Sequence, residues 1–277
     1  MNVLKVVIPT DFSVQAEYAF LLVKRLEEKV PMEVHFLHIM NVPETVSMDE
    51  NGNIQTCGEI DVKYVEKQRD IAIRQMQALQ DQYGSEIKTH IRMGKTTDGI
   101  LDFSEMEKAD LIVMGTKGAW GLKEKLSGSE TQMIARKSRI PVLSMMCDRS
   151  DLKIENILLV HDFHKPEVLD LKLMKMLTHA FGCKLHLLQI ATGNLEVQQE
   201  EFEFNAKNFA DLNGISNYET HLIQDSDVEN GVIHFNQMMN MDIICIGTHG
   251  KSRLLHSSAT EKLINHLFKP IISFRIN

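Results

Sequence analysis

The sequence predicts an α/β protein built from two tandem, doubly wound domains, each with a five-stranded parallel sheet. Short apolar runs of strand length alternate with longer amphipathic segments of helix length throughout the 277 residues. The same order occurs twice, and a glycine turn that follows a buried strand at residues 115–118 recurs at residues 247–250. Two domains are therefore expected, residues 1–148 and residues 149–277.

The first half begins with a β-branched strand at residues 3–8, followed by a helix whose apolar residues share one face: Ala16, Phe20, Val23 and Leu26. Further strands are predicted at residues 34–39, 88–93, 110–115 and 142–146, and further helices at residues 61–83, 97–108 and 129–137. Gly84 is a typical stop for the long second helix. The polar residues 41–60 are predicted to form a mobile loop or lid.

The second half repeats this order. Strands are predicted at residues 157–161, 185–190, 221–223, 243–246 and 271–276. Helices are predicted to end near Phe181 and at residues 213–214, and to span residues 231–239 and 257–267. Residues 9–12 align with 160–163, and residues 34–39 with 185–190, at a single offset. The second copy has no counterpart of the polar segment 41–60.

Strands that alternate with crossover helices form a mostly parallel sheet, and ligands bind such sheets at the carboxyl ends of strands near the switch in strand order. Asp11 follows the first strand and Gly115 ends the fourth. In a 3-2-1-4-5 strand order these two strand ends are neighbours, so both residues would line one crevice. That expectation depends on the assumed order.

Composition excludes several classes of partner and location. The net charge of −8 has no basic stretch to offset it, which argues against nucleic acid and membrane headgroups as partners. No apolar run is long enough to span a bilayer, and the first residues predict a strand instead of a secretory signal. Four scattered cysteines without CxxC spacing predict reduced thiols in a cytoplasmic protein: Cys57, Cys147, Cys183 and Cys245.

The most informative motif is Gly115-Thr116-Lys117-Gly118, followed after nine residues by Gly128-Ser129. Glycine allows the backbone to approach a ligand closely, and a Gly-Ser step that opens a helix points unpaired N–H groups outward. This combination suits a polyphosphate. No P-loop, dinucleotide fingerprint, nucleophile elbow or zinc-protease motif accompanies it.

Together with Pro9-Thr10-Asp11-Phe12-Ser13 and the final Pro141-Val142-Leu143, this motif resembles the ATP-binding pattern of the universal stress protein family. The resemblance covers nearly the whole chain as two tandem copies. It implies a Rossmann-like fold of the adenine-nucleotide alpha-hydrolase type. It also implies a cytoplasmic stress-response protein that binds ATP, with or without Mg²⁺, and acts on an unknown protein partner.

The resemblance also implies the roles of individual residues. Asp11 would contact the adenosine part, with Pro9, Thr10, Ile39 and Met114 around the adenine. The ribose and phosphates would lie against Gly115, Gly118, Gly128 and Ser129. Glu130 departs from the family, which usually has a small apolar residue there. Its carboxylate would weaken phosphate binding unless it points away or holds Mg²⁺.

The motif of the second half is degenerate. Its loop is three residues shorter between its anchors, Ser257 replaces the second anchoring glycine, and Val160-His161 replaces Pro9-Thr10. We expect this half not to hold ATP in the usual way. His161 and His164, with Asp162 between them, resemble a metal-ligand spacing, and His249 would approach the same crevice because it follows the fourth strand of that half. Exposed loop histidines explain these residues more simply, so no metal site is predicted.

Several alternatives stay open. Asp11 could cap the following helix instead of, or as well as, contacting a ligand. The protein could be a slow ATP hydrolase of the alpha-hydrolase group, although no catalytic residue can be assigned, or a scaffold without bound nucleotide. The apolar fifth strands, residues 142–146 and 271–274, would be bare sheet edges, so the resemblance implies that they pair as an internal pseudo-dimer. Further homodimerisation is left open.

Overall fold

The computed structural model describes residues 3–49, 52–57, 60–116, 130–164, 167–193, 197–249 and 254–276, with the side chains of residues 249 and 254–258 excepted. These residues form one ten-stranded sheet flanked by helices, together with a separate two-stranded sheet. The α/β class and the tandem arrangement are as predicted from the sequence.

The first half contains seven strands and four helices among the described residues. Its strands are β1 (Leu4–Pro9), β2 (Met32–Met40), β3 (Val46–Met48), β4 (Ile54–Thr56), β5 (Lys88–Met93), β6 (Leu111–Gly115) and β7 (Val142–Met145). Its helices are α1 (Val14–Glu27), α2 (Val62–Tyr83), α3 (Thr96–Met106) and α4 (Glu130–Lys137). The predicted β5 has the observed bounds, and Gly84 caps α2 as expected.

The second half contains five strands and four helices among the described residues. Its strands are β8 (Asn156–Val160), β9 (Lys184–Thr192), β10 (Tyr218–Asp225), β11 (Ile243–His249) and β12 (Ile271–Ile276). Its helices are α5 (Lys172–Phe181), α6 (Gln199–Leu212), α7 (Val228–Met239) and α8 (Leu254–His266). The short predicted strand at 221–223 is therefore a longer one, β10.

The ten strands lie in the order β10-β9-β8-β11-β12-β7-β6-β1-β2-β5. Each half taken alone has the order 3-2-1-4-5, with parallel pairing throughout. The two fifth strands, β7 and β12, pair antiparallel and join the halves into one sheet. This pairing leaves neither fifth strand at an edge, as the resemblance implies, and β5 and β10 are the edge strands of the sheet.

Alternate residues of each strand point to opposite faces of the sheet, and each face has its own apolar core. Val6 and Val113 belong to the core under α1, α2, α5 and α6, whereas Val7 and Ile112 belong to the core under α3, α4, α7 and α8. Both cores run through both halves of the chain. The near-continuous apolar strands are therefore explained by burial on both faces.

The repeat extends to single contacts. Asp110 Oδ2 accepts a hydrogen bond from the backbone N of Lys5 at 3.0 Å, and Asp242 Oδ2 accepts one from the N of Asn156 at 2.9 Å. In each half, the carboxylate before the fourth strand thus holds the start of the first strand. A similar correspondence links Gly99 with Gly231, because a Cβ on either glycine would press on an isoleucine at the matching position of the second strand.

The segment 41–60 differs from the prediction of a mobile loop or lid. Its described residues form a β-hairpin in which Val46 pairs with Thr56 and Met48 with Ile54. Val46 is buried against Met40 and Val65, so a small third apolar core lies beneath the hairpin. The Arg69 guanidinium donates to the backbone O of Gly52 at 2.5 Å and ties the turn to α2. The described residues of this insertion are therefore a structured part of the first half.

Candidate functional site

The carboxyl ends of β1, β2 and β6 lie at the same edge of the sheet. β1 pairs with β6 through Val6–Leu111 and Val7–Ile112, and with β2 up to Pro9–Leu37. Pro9 ends β1, and Thr10 continues the pairing by donating its N–H to the Leu37 carbonyl at 2.8 Å. The structure therefore brings Thr10 and Asp11 to the edge at which Gly115 ends β6, as the predicted strand order requires.

A tight turn follows β1 and presents Asp11 to solvent. Phe12 has a left-handed backbone with φ of 62°, and its N–H bonds Thr10 Oγ1 at 3.0 Å. Asp11 Oδ1 accepts the N–H of Ser13 at 3.0 Å. Ser13 itself is the N-cap of α1, because its Oγ accepts from the N of Ala16. Asp11 therefore does not cap the helix; it is exposed and shapes the turn before the cap.

Ile39 and Met114 lie at the ends of β2 and β6, close to the same edge. Their exposed fractions are 8% and 7%, and both belong to the apolar core under α3 and α4. Both residues thus lie beneath the carboxyl edge of the sheet, and protein covers most of each side chain. Thr10 is buried to a similar degree.

Gly115 has a structural reason to be glycine. A Cβ at this position would overlap the backbone carbonyl of Gln15 in the first turn of α1, and backbone cannot move aside as a side chain can. Its own carbonyl accepts a hydrogen bond from Thr131 Oγ1 at 3.4 Å, which links the end of β6 to α4. The close approach of α1 to β6 therefore requires glycine here, independently of any ligand.

Glu130 is the first described residue of α4 and lines a cleft of about 260 Å³ next to the strand edge. Burial of the carboxyl group raises its pKa, a hydrogen bond with Thr96 lowers it, and the nearby Asp11 carboxylate raises it. Two carboxylates therefore share this region. The other cleft residues include Asn41, Thr96, Met133 and Lys137.

Three of the predicted site residues, Gly118, Gly128 and Ser129, lie outside the described residues. Sequence inspection also missed several neighbours of the strand edge. Asn41 and Thr96 follow β2 and β5, so the rule that ligands meet the carboxyl ends of strands could have indicated them. His38 was also missed; its Nδ1 lies 2.8 Å from the Thr10 carbonyl and its ring packs on Phe12.

The matching edge of the second half has different chemistry. His161 stands where the first half has Thr10, and its Nε2 lies 2.9 Å from Glu167 Oε1. Its ring is buried against Phe163 and Phe209. His164 is exposed, and its Nε2 lies 3.7 Å from Asp162 Oδ1. The side chain of His249 lies outside the described residues.

Comparison with known proteins agrees with this architecture. A model of the universal stress protein family matches residues 2–144, which is just over half of the chain. This chain therefore belongs to the universal stress protein family. None of the helices in the described ranges combines the length and the apolar composition that a membrane span needs.

Two curated relatives come from Methanocaldococcus jannaschii. Universal stress protein MJ0531 is 29% identical over 139 residues, which are 50% of this chain and 79% of that protein. Universal stress protein MJ0577 is 31% identical over 149 residues, 50% of this chain and 92% of that protein. Among solved structures, a universal stress protein from Archaeoglobus fulgidus has a TM-score of 0.71 at 19% identity, covering 98% of this chain and 96% of that one. That likeness extends the shared fold to both halves.

Proposed function

We propose that this chain is a cytoplasmic stress-response protein that binds ATP or a related adenine nucleotide in its first half. Occupancy of the site alters its shape or its protein partners. The observation that carries the proposal is the meeting of the β1 and β6 ends, which brings the exposed Asp11 carboxylate to the edge where Gly115 leads into the glycine motif. Membership of the family supports it.

The adenosine part would lie above the ends of β1, β2 and β6. Asp11 Oδ1 already accepts one backbone N–H, and a carboxylate has further acceptor positions for ribose hydroxyls or an adenine amine. Ile39 and Met114 would supply the apolar, polarizable floor for the ring, with Pro9 and Thr10 beside it. A few placed polar groups over an apolar floor are typical of nucleotide pockets.

The phosphates would lie toward Gly115, Gly118, Gly128 and Ser129 and the amino end of α4. Backbone N–H groups at a helix start favour anions. Asp11 and Glu130 supply oxygen ligands of the kind that Mg²⁺ prefers, so the donor types of the described residues fit a Mg²⁺–nucleotide complex. When bound, Mg²⁺ would offset the charge of these carboxylates against the phosphates.

Binding, without efficient catalysis, is the expected activity. Glu130 is the acidic candidate for a base beside the loop among the described residues, and burial raises its pKa, which makes it a stronger base than an ordinary glutamate. Slow hydrolysis is therefore the second candidate function. Turnover of about 1 per second or more, as in metabolic enzymes, would contradict the proposal.

The two halves provide a matched test. Asp11→Ala should weaken ATP binding by about tenfold or more, since hydrogen bonds to charged groups contribute about 1.5–3 kcal/mol. Asp162→Ala removes the equivalent carboxylate of the second half and should leave affinity unchanged. Calorimetry with ATP and Mg²⁺ measures both. Equal ATP affinity of the wild type and Asp11→Ala would show that the nucleotide does not bind at this edge of the sheet.

Nucleotide carried through purification gives an independent measurement. Mass spectrometry of the ligand released from freshly purified protein should detect ATP or a close relative. Gly118→Val should abolish retention by crowding the phosphates, whereas unchanged retention would place the nucleotide elsewhere. Absence of any nucleotide, with no thermal stabilisation by millimolar Mg²⁺–ATP, would favour the scaffold interpretation.

A further inference from the structure

Two histidines and a glutamate meet at the outer edge of the second half. β9 and β10 pair in parallel with His186 opposite Glu219, and His221 lies two residues further along β10. His186 Nδ1 is 2.9 Å from His221 Nε2 and 3.6 Å from Glu219 Oε2. One ligand atom from each residue can be chosen so that all lie within 4.8 Å of one another. β10 is the outermost strand, so this cluster lies far from β1 and β6 in the sheet.

Neighbouring groups hold all three side chains in position. Asn156 Oδ1 lies 3.1 Å from His186 Nε2 and can only accept, which assigns the ring proton to Nε2. The lone pair on Nδ1 then accepts the hydrogen bond from His221 Nε2. Phe235 packs on the His221 ring at a centroid distance of 4.8 Å. Lys184 Nζ holds Glu219 Oε1 at 2.7 Å and leaves Oε2 directed toward His186. Such outer partners are typical of metal-binding histidines.

The first half has an equivalent histidine pair with a different environment. His35 Nδ1 is 3.1 Å from His90 Nε2, and the two rings are stacked. The carboxylate here is Glu33, on the same strand as His35, and it bonds His35 Nε2 at 2.7 Å. Lys88 pairs with Glu33 at 2.9 Å, so the ion pair of the second half is present with its charges exchanged.

This exchange moves the carboxylate from one side of the histidine pair to the other. In the first half Glu33 bonds His35 Nε2, the ring nitrogen that points away from the second histidine. In the second half Asn156 bonds the equivalent nitrogen, His186 Nε2. The carboxylate of the second half, Glu219, instead faces His186 Nδ1, the ring nitrogen that would bind a metal ion. Within the described ranges, His186, Glu219 and His221 are the one group of three such residues close enough to share an ion.

We infer that His186, His221 and Glu219 bind a divalent transition-metal ion such as Zn²⁺ through Nδ1, Nε2 and Oε2, with water as the fourth ligand. Tetrahedral zinc with bonds of about 2.0–2.1 Å places its ligand atoms about 3.3 Å apart, and the observed 2.9 and 3.6 Å bracket that spacing. Binding replaces the hydrogen bond between the rings. The proton on His221 Nε2 passes through solvent to Nδ1 of the same ring.

The chemistry of the ligands selects the class of metal. Imidazole nitrogens with one carboxylate favour Zn²⁺, Co²⁺, Ni²⁺ or Cu²⁺ over Mg²⁺ and Ca²⁺, which prefer oxygen ligands. His186 is buried, whereas the Glu219 side chain is 46% exposed and gives an ion access from the sheet edge. The bound ion would join the edge strand β10 to β9.

The full chain is freed of metal with a chelator and of nucleotide and chelator by dialysis, and is then titrated with Zn²⁺ by calorimetry and with Co²⁺ by visible absorption. One site per chain with a tetrahedral Co²⁺ spectrum is expected. His221→Gln and Glu219→Gln should each weaken it by about tenfold or more. The matched controls in the first half, His90→Gln and Glu33→Gln, should leave affinity within about twofold of wild type.

The outcomes separate the proposal from its alternatives. Loss of binding confined to the second-half variants supports it. Absence of Zn²⁺ binding at micromolar concentrations, or equal losses in both sets of variants, overturns it. Thermal unfolding of each variant without metal identifies any that fail to fold, and Glu219→Gln, at an exposed side chain, keeps the test decisive if His221→Gln is one of them.

Discussion

Leu143 and Ile272 face each other across the antiparallel β7–β12 pair, and they occupy equivalent positions in the two halves. Ser144 Oγ donates to the Ile271 carbonyl at 3.4 Å, and Ser273 Oγ donates to the Val142 carbonyl at 3.3 Å. The contacts are reciprocal, as in a symmetric dimer interface. Leu143 and Ile272 therefore mark the pseudo-two-fold axis that relates the halves.

Leu143→Ala and Ile272→Ala should destabilise the protein by similar amounts, about 2–5 kcal/mol each, because both side chains are buried at the same symmetric contact. Urea unfolding measures this. Val168→Ala, at an exposed valine, is the control and should have little effect. A large difference between the two interface variants would contradict the equivalence of the two positions.

Gly115→Ala should destabilise the first half by about 1–3 kcal/mol or more, because the new methyl group would overlap backbone at Gln15. Gly247→Ala is the matched change in the second half. There the methyl group would meet the Ile276 side chain, which can rotate, so the cost should be smaller. Chemical denaturation of both variants without nucleotide gives the comparison, and the reverse ranking would be inconsistent with this packing.

Removal of the Glu130 carboxylate should make nucleotide binding less dependent on Mg²⁺. Asp11 lies close enough to raise the pKa of Glu130, although burial is the larger cause, so an anionic phosphate without its cation would meet unfavourable charge here. Glu130→Gln should therefore strengthen ATP binding in a chelator. Calorimetry with and without Mg²⁺ tests this, and unchanged affinity in both conditions would mean that Glu130 points away from the phosphates.

Stability should decrease as the pH falls below about 6.5, in part through His90. Burial lowers the pKa of His90 in the folded protein, and His35 lowers it further, as do Arg92 and Lys88, whereas Glu107 raises it. As the pH falls, His90 is therefore protonated in the unfolded chain before it is protonated in the folded protein. The contribution of neutral His90 to the free energy of unfolding is complete above about pH 6.5, and it is lost as the pH falls toward the pKa of the folded protein. His90→Gln should reduce the pH dependence below about pH 6.5.

The measurement for this prediction is the denaturation midpoint as a function of pH. His179→Gln, at an exposed histidine on α5, is the control. Unchanged pH dependence in His90→Gln would exclude His90 as a source of the acid sensitivity.

Iodoacetamide should alkylate Cys57 in the native protein, whereas Cys183 and Cys245 should resist alkylation. Cys57 is exposed, whereas the other two are buried. Burial raises the pKa of Cys183 to about 11 and also raises that of Cys245, which leaves little thiolate to react. Peptide mapping after iodoacetamide treatment gives the pattern. Rapid native labelling of Cys245 would mean that β11 opens on the timescale of the reaction.

Most of the fold is readable from the sequence because burial on both faces produces long apolar strands, and the repeat checks each strand against its copy. The β3–β4 hairpin was not predicted, because its apolar residues, such as Val46 and Ile54, are few and its strands have three residues each. Its order comes from packing on Met40 and Val65, which local patterns do not reveal. The domain boundary at 148/149 stays a prediction.

Of the two candidate sites, one can be predicted from the sequence and the other cannot. Asp11 and Gly115 could be predicted to share an edge because strand order alone brings them together. The histidine cluster could not, since 35 residues separate His186 from His221 and only the β9–β10 register brings them within bonding distance. Spacing along the chain brings together only residues such as His161 and His164, and exposed loop histidines explain those more simply, so the sequence predicts no metal site.

The antiparallel β7–β12 pair reverses the strand direction between the halves. The two carboxyl edges of the continuous sheet consequently open on opposite long sides of the molecule. One long side combines the carboxyl ends of the first-half strands, where Asp11 and Gly115 lie, with the amino ends of the second-half strands, and the other side has the reverse combination. Two identical subunits in the same arrangement would have two equivalent long sides, because the two-fold axis would exchange them. The halves of this chain differ in sequence, so its two long sides differ, and a partner protein could distinguish one from the other.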